Sequence, residues 1–210
     1  MRKGLVALIG MIIGLVLLLV SFMGPWYTIH ATGLLGTAEY SAQFSLTQMQ
    51  LQRNIGGQDI TLSMDYADAK MNVEGTAVNV ESFAMIEEAM YLTIPALVMM
   101  LLAIVFKIAF VFEKGHPRMM IIGGGLFGVL TFLFTILPAL YFMNTKFVEN
   151  ISGFWFKVSI LGIVITGGPG YAWYLMIIVA AITVVCTGSI LVKRANPKMT
   201  NENPLLPKNT

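Results

Sequence analysis

Four long runs of apolar residues divide the chain. They cover residues 4–23, 91–112, 119–143 and 171–192. An α-helix that rises about 1.5 Å per residue needs roughly 20 apolar residues to cross a hydrocarbon core about 30 Å thick. Each run meets that length, so the pattern predicts four transmembrane helices. The second and third runs are separated only by the short polar turn 113–118, which predicts an antiparallel hairpin of helices.

The first apolar run follows Arg2 and Lys3, as the apolar part of a signal peptide does. It is longer than a usual signal peptide core, and no A-x-A-like cleavage site follows it. We therefore expect a retained span. The remaining polar stretches are a first outer loop over 24–90, a second outer loop over 144–170 and a cytoplasmic tail over 193–210.

The first outer loop has the two-residue alternation of β-strands. Apolar and polar side chains alternate over 27–32, over 39–52 and again over 60–66, and the last two stretches flank a Gly-containing turn at 54–57. This pattern predicts a hairpin with one buried face. From about Asn79 the spacing becomes helical, so we expect a helix that leads into the second span.

The second outer loop contains one short stretch rich in β-branched and aromatic residues, 154–166. It is too short to cross a membrane as a helix, and its composition favours a strand. We expect one strand that pairs with the sheet of the first loop; the alternative is an interfacial or re-entrant segment. The predicted fold class is a four-transmembrane α-helical bundle with an extracytoplasmic β-sheet formed by both outer loops.

Positive charges favour one orientation of these spans. With the N-terminus inside, nine of the 13 Lys and Arg residues lie on the cytoplasmic side, among them Lys107, which we expect to snorkel to the headgroups from the second span. An excess of basic residues near the span ends marks the cytoplasmic side. The sequence thus predicts a multi-pass protein of the cell membrane with both termini in the cytoplasm.

The overall composition agrees, with 57% hydrophobic and only 11% charged residues, whereas a soluble domain carries about 25% charged residues. A net charge of +2 with no basic patch argues against nucleic acid as a partner. The first outer loop has a net charge of −6. Its acids Asp59, Asp65, Asp68 and Glu74 lack the spacing of a calcium loop, so we interpret them as a solvated face rather than a cation site.

Little in the sequence indicates chemistry. The four predicted spans contain no Asp, Glu or His, which proton relays and ion-coupled carriers need. The single cysteine, Cys186, excludes an intrachain disulfide and is expected to be a small packing residue. We predict no catalytic residue, no cofactor and no metal site. Asn150 begins an Asn-x-Ser glycosylation sequon in the second outer loop.

Two residue sets remain as candidate structural sites. Small residues spaced four apart allow close helix contact, within one bundle or with another chain. Aromatic residues at the ends of spans anchor helices at the membrane interface. The glycines are Gly10, Gly14, Gly124 and Gly128, and the aromatic residues are Trp26, Tyr27, Trp155 and Trp173.

This layout, with Pro25-Trp26 just after the first span, resembles the claudin and peripheral-myelin-protein tetraspan superfamily. The resemblance covers the architecture of nearly the whole chain and implies a β-rich first outer loop and one strand in the second. The superfamily's Gly-Leu-Trp motif and its two following cysteines are absent; the nearest string is 33–36, Gly-Leu-Leu-Gly. No pore or junction residue of the superfamily is therefore carried over.

These features favour a non-enzymatic four-span protein whose outer β-region mediates protein–protein contacts in adhesion, assembly or a larger membrane complex. Its expected partners are membrane lipids together with other copies of itself or other membrane and envelope proteins. The alternative is a transporter or channel-forming subunit for lipid or small solutes. An enzyme that uses the outer acids is the least favoured hypothesis.

Overall fold

The computed structural model describes residues 2–33, 38–55, 57–68, 81–112, 116–144 and 153–195. In these residues four long α-helices form a bundle and six β-strands form one sheet at one end of it. In chain order the elements are α1 (Arg2–Met23), β1 (Tyr27–Thr32), β2 (Ala38–Phe44), β3 (Gln48–Ile55), β4 (Gln58–Asp65), α2 (Glu81–Val111), α3 (Pro117–Phe142), β5 (Phe156–Ile160), β6 (Ile163–Pro169) and α4 (Tyr171–Ala195).

The helices form a ring in which α1 packs on α2 and α4, and α3 packs on α2 and α4. All four are long and apolar enough to cross a membrane. Met11, Met100 and Met176 are fully buried inside the ring, whereas Val6 and Val185 on its outer surface are 67% and 70% exposed. A continuous apolar exterior of this kind suits lipid rather than water, as expected for a multi-pass membrane protein.

The sheet is wholly antiparallel, with the strand order β4-β3-β2-β1-β6-β5. The pairing of β1 with β6 joins the strands of the first predicted loop to those of the second. The predicted antiparallel sheet is therefore present, with strands from both loops. Helix α2 begins at Glu81 and runs without interruption through the predicted second span, as expected for a helix that leads into it.

Two details differ from the sequence-based expectation. The alternating stretch 39–52 is not one strand, because the chain turns back between β2 and β3. The Ser45 Oγ donates to the Gln48 carbonyl at 2.8 Å and accepts from the Gln48 N–H at 3.1 Å, which closes the turn. The hydroxyl of Tyr66, the residue after β4, also donates to the Ser45 carbonyl and supports the turn.

The second difference lies in stretch 154–166, where one strand was expected and the hairpin β5–β6 is present. Leu161 and Gly162 turn the chain with φ values of 52° and 82°. Two consecutive positive φ angles are typical of the type I′ turns that match the twist of a hairpin. Leucine rarely adopts such a conformation, so its presence hid the turn in the sequence pattern.

The sheet is joined to the bundle where α1 leads into β1 and β6 leads into α4. The Gly170 N–H donates to the Trp26 carbonyl at 2.8 Å, and the Ala172 N–H donates to the Pro25 carbonyl at 3.1 Å. The Ser21 Oγ donates to the Ala172 carbonyl at 2.7 Å. These bonds continue the β1–β6 ladder to the first turn of α4. The segment formed by α1 and β1 is therefore paired with the segment formed by β6 and α4. We call this region the junction.

Gly170 tests the junction, because a Cβ atom added there would collide with the Pro25 carbonyl oxygen. We expect Gly170→Ala to lower the free energy of unfolding by about 3 kcal/mol, the upper range for overpacking against unyielding atoms. Thermal unfolding of the purified protein measures this. The matched control is Gly188→Ala, whose added Cβ meets nothing within 4 Å. Equal stability of the two variants would contradict the role assigned to the junction.

Candidate interaction surface

The sheet has one apolar face and one polar face across its six strands. Residues that are paired in the antiparallel register lie on the same face, and successive residues of a strand alternate between faces. The apolar rows and the polar rows therefore follow directly from the pairing. The apolar face carries Ile29, Ala31, Tyr40, Ala42, Leu51, Ile60, Leu62, Val158 and Ile165, and the polar face carries Thr28, His30, Ser41, Gln43, Gln50, Gln52, Thr61, Ser63 and Lys157.

The part of the apolar face nearest the bundle is covered. Phe44 and Met49 are 1% and 2% exposed, and the first turn of α2 packs onto this row. The ring of Phe83 from α2 lies 6.4 Å from that of Phe44 and 5.4 Å from that of Tyr66, measured between centroids. This aromatic contact fixes the sheet onto the top of α2.

Two buried tyrosine hydroxyls complete that packing. Tyr27 donates to the Phe154 carbonyl at 2.9 Å, and Tyr66 donates to the carbonyls of Ser45 and Gln48. Burial raises the pKa of both hydroxyls above the ordinary value, and the negative charge of Glu87 raises that of Tyr66 further. Both groups therefore remain protonated donors at any physiological pH.

Farther from the bundle the apolar face is open. Ile60 and Leu62 on β4 are 59% and 53% exposed. Together with Ile29, Ala42 and Leu51 they line a cleft of about 320 Å³, which we call the sheet cleft. Of the described residues that line it, only Arg53 is charged, and its guanidinium carbon lies 5.3 Å from the centroid of the Tyr40 ring.

The polar face has a different chemistry. Its outermost row brings Glu39, Asn54 and Asp59 side by side on three strands, and the Asn54 Nδ2 donates to the Asp59 Oδ1 at 2.6 Å. Within the described part of the chain no three His, Cys, Asp or Glu side chains come together to hold a metal ion. Glu74, the fourth acid considered from sequence, lies outside the described residues.

The two edge strands are β4 and β5. Natural sheets block exposed edges with lysine, proline, bulges or very short strands. Strand β4 has none of these: it contains neither Lys nor Pro, and its eight residues pair with β3 without a bulge, from Gln48 with Asp65 to Ile55 with Gln58. Among the described residues no strand pairs with its outer side, so another strand can join this regular edge.

The four candidate glycines all lie at contacts between helices of this same bundle. A Cβ atom added to Gly10 would approach a sulfur atom to 2.5 Å, and at Gly124 it would make an ordinary contact at 3.7 Å. Each glycine therefore lies against a neighbouring helix of the same chain. The neighbouring side chains are Cys186 for Gly10, Met100 for Gly14, Phe106 for Gly124 and Thr187 for Gly128.

The candidate interface aromatics differ in exposure. Trp26, Tyr27 and Trp173 are 0%, 1% and 8% exposed, whereas Trp155 is 54% exposed. The Trp26 Nε1 donates to the Ser21 carbonyl at 2.8 Å, and the Trp173 Nε1 donates to the Ala139 carbonyl at 2.9 Å. The first three therefore pack between the sheet and the bundle instead of facing lipid, because the sheet rests directly on the helix ends.

Lys107 does not snorkel as the sequence suggested. It is 2% exposed, and its Nζ donates to the Cys186 carbonyl of α4 at 3.0 Å. Its side-chain stem lies beside Gly124 of α3. The close approach of three helices thus holds the ammonium group inside the bundle and away from the headgroups.

The remaining sequence candidates do not form a site. His30 lies on the sheet and His116 immediately precedes α3 at the opposite end of the bundle. Asn150 of the sequon lies outside the described residues.

Neither a protein-family model nor a curated protein sequence matches this chain. The chemistry of the sheet therefore carries the functional argument.

Replacing Lys107 tests whether its buried charge stabilises the bundle. Lys107→Met keeps the length of the side chain but removes a charged group whose burial costs several kcal/mol. A hydrogen bond from a charged group contributes only about 1.5–3 kcal/mol in return. We expect Lys107→Met to unfold at the same or a higher temperature than the wild type, and Lys107→Ala, which leaves a cavity, at a lower one. A clear loss of thermal stability in Lys107→Met would contradict this.

Proposed function

We propose that this chain is a non-enzymatic, claudin-like four-span membrane protein whose sheet lies outside the cytoplasm and mediates protein–protein contacts. The observation that carries the proposal is the unblocked edge of β4. A water-exposed edge without lysine, proline or a bulge can serve as a template for pairing with another chain. Edge pairing between an extended segment and a sheet is also a common mode of protein recognition.

The proposed orientation rests on charge and topology together. The sheet lies at one end of the bundle, and the beginning of α1 and the end of α4 lie at the other. The basic pairs Arg2-Lys3 and Lys193-Arg194 occur in those two helix ends. Basic residues are retained on the cytoplasmic side of the cell membrane, so this topology favours cytoplasmic termini and an outward-facing sheet.

The partner that the sheet fits best is a neighbouring copy of the same chain. Since the sheet has six strands, all antiparallel, its two edge strands β4 and β5 run in opposite directions. A copy placed beside the first in the same membrane orientation therefore brings its β5 antiparallel to β4. Antiparallel pairing is the geometry that the sheet already uses throughout.

The side chains of the two edges are also complementary. On the polar face, β4 carries Asp59 and Asp65, whereas β5 carries Lys157. On the apolar face, Ile60 of β4 would meet Val158 of β5, since both lie in the row that passes through Ala31. Opposite charges and apolar pairs across neighbouring strands each stabilise a sheet by roughly 0.2–1 kcal/mol. The match supports side-by-side association of copies in one membrane.

A single lysine at the edge tests this association. We expect Thr61→Lys on β4 to reduce co-purification of two differently tagged copies about fivefold or more, because the buried edge would lose about 1 kcal/mol or more of pairing energy. Blue-native gels of mildly solubilised membranes give the same comparison. The matched control is Gln52→Lys, the residue paired with Thr61 on the interior strand β3. Self-association that survives Thr61→Lys, or that both variants lose equally, would contradict edge pairing.

Charge reversal tests the proposed β4–β5 contact specifically. We expect Lys157→Glu to weaken association two- to fivefold, the range for exposed charge pairs. The combination of Lys157→Glu in one tagged copy with Asp59→Lys and Asp65→Lys in the other should restore it. Restoration must depend on low salt, since exposed pairs are screened. If the wild-type chain occurs only as isolated monomers in native membranes after crosslinking, the proposed function is wrong.

A further inference from the structure

We propose that the sheet cleft binds the acyl chain of a free fatty acid whose carboxylate pairs with Arg53. This inference goes beyond partner contact through the strand edges, since it concerns the open apolar face of the sheet. The cleft lies on that face, across β1 to β4.

The wall of the cleft is made almost entirely of apolar side chains. Ile29, Ala42, Leu51 and Leu62 form one row across four strands, and Ala31, Tyr40, Arg53 and Ile60 form the row beyond it. Leu62 and Ile60 are more than half exposed, although they project from a sheet that stands in water under the proposed orientation. An apolar ligand would remove this surface from water at roughly 25 cal/mol per Å².

One end of the cleft is closed and the other carries a charge. Toward the bundle, the next row is the buried aromatic packing of Phe44 with Phe83. Away from the bundle, the Arg53 guanidinium is exposed above the Tyr40 ring. From Arg53 to the row of Met49 the strand rises about 13 Å. A ligand that fits both ends has an apolar body and a single anionic head.

The size of the cleft favours a single-chain molecule over a protein segment or a two-chain lipid. Its volume of about 320 Å³ is at the lower limit of sites for small molecules, about 300–1,000 Å³. A stable protein interface needs about 800 Å² on each partner, far more than a cleft of this volume presents. An Arg guanidinium binds a carboxylate with two parallel hydrogen bonds, and a fatty acid leaves no bulky headgroup to place beside it.

The experiment uses the full chain reconstituted in phosphatidylcholine liposomes and a dodecanoic acid with a photoactivatable diazirine at its chain end. We expect crosslinks mapped by mass spectrometry at Ile29, Ala42 and Leu51, in addition to background labelling of the exposed helix surface. Unlabelled dodecanoic acid should remove the cleft crosslinks. Crosslinks confined to the helices would overturn the proposal, and so would equal competition by dodecanol or by lysophosphatidylcholine, which would assign the cleft to a different ligand.

Variants separate the charge from the apolar wall. We expect Arg53→Gln to lower cleft labelling about three- to fivefold and Arg53→Lys to retain most of it, as for an exposed charge pair. Ala42→Trp, which fills the cleft, should abolish labelling, whereas Ser63→Trp on the polar face should leave it unchanged. If Arg53→Gln and Ala42→Trp both label like the wild type, the proposal fails.

Fatty-acid binding in the sheet cleft and self-association through the β4 edge can be tested separately. Thr61→Lys changes the polar face of β4 and leaves the cleft side chains as they are. We expect this variant to retain fatty-acid labelling while it loses self-association. A protein partner crosslinked to the cleft residues in native membranes, with no fatty-acid labelling, would favour a docking site and overturn the fatty-acid assignment.

Discussion

The backbone pairing between β1 and β6, continued to the start of α4, is the constraint on which the rest of the structure depends. Tyr27 pairs with Pro169, and one step nearer the bundle the Gly170 N–H donates to the Trp26 carbonyl. Only a residue without a Cβ at position 170 allows these two segments of the chain to approach so closely. Helix α1 leads into β1, and β6 leads into α4. This one contact therefore positions both helices and the centre of the sheet.

This arrangement explains why aromatic residues at the helix ends are buried. The sheet rests on the bundle through a layer of rings, in which Phe142 lies 5.3 Å from Trp26 and 6.1 Å from Phe154 between centroids. Edge-to-face ring contacts of this kind stabilise a core beyond the area they bury. Sheet and bundle thus share a core, which gives the sheet a fixed position relative to the helices and therefore to the membrane they are suited to cross.

The remaining surface of the sheet is then available for contacts. Its rows near the bundle are used for packing, whereas Ile60, Leu62 and Arg53 lie beyond the reach of the helices. The even number of strands makes the two edge strands run in opposite directions, and no described strand covers the outer side of β4. Edge and cleft are separate features of the part of the sheet that the helices leave uncovered.

The helices and most strands follow from local pattern. Apolar runs of sufficient length and the two-residue alternation are properties of neighbouring residues, so spans and strand-forming stretches could be predicted from the sequence. The turn at Ser45 is closed by bonds between Ser45 and Gln48, but the apolar–polar alternation of residues 39–52 continues through it and conceals it. The turn at Leu161 was hidden because leucine is an unusual residue for positive φ.

The sequence by itself therefore determined four apolar helices, an amphipathic β-region and the charge asymmetry between the two ends of the bundle, since each depends on composition over a short stretch. Only the tertiary structure decided which strands form the edges, where Lys107 directs its ammonium group and that Arg53 lies at the end of an apolar cleft. Those features arise from strand order and helix contacts between residues far apart in the chain. Local periodicity contains no information about which distant elements become neighbours.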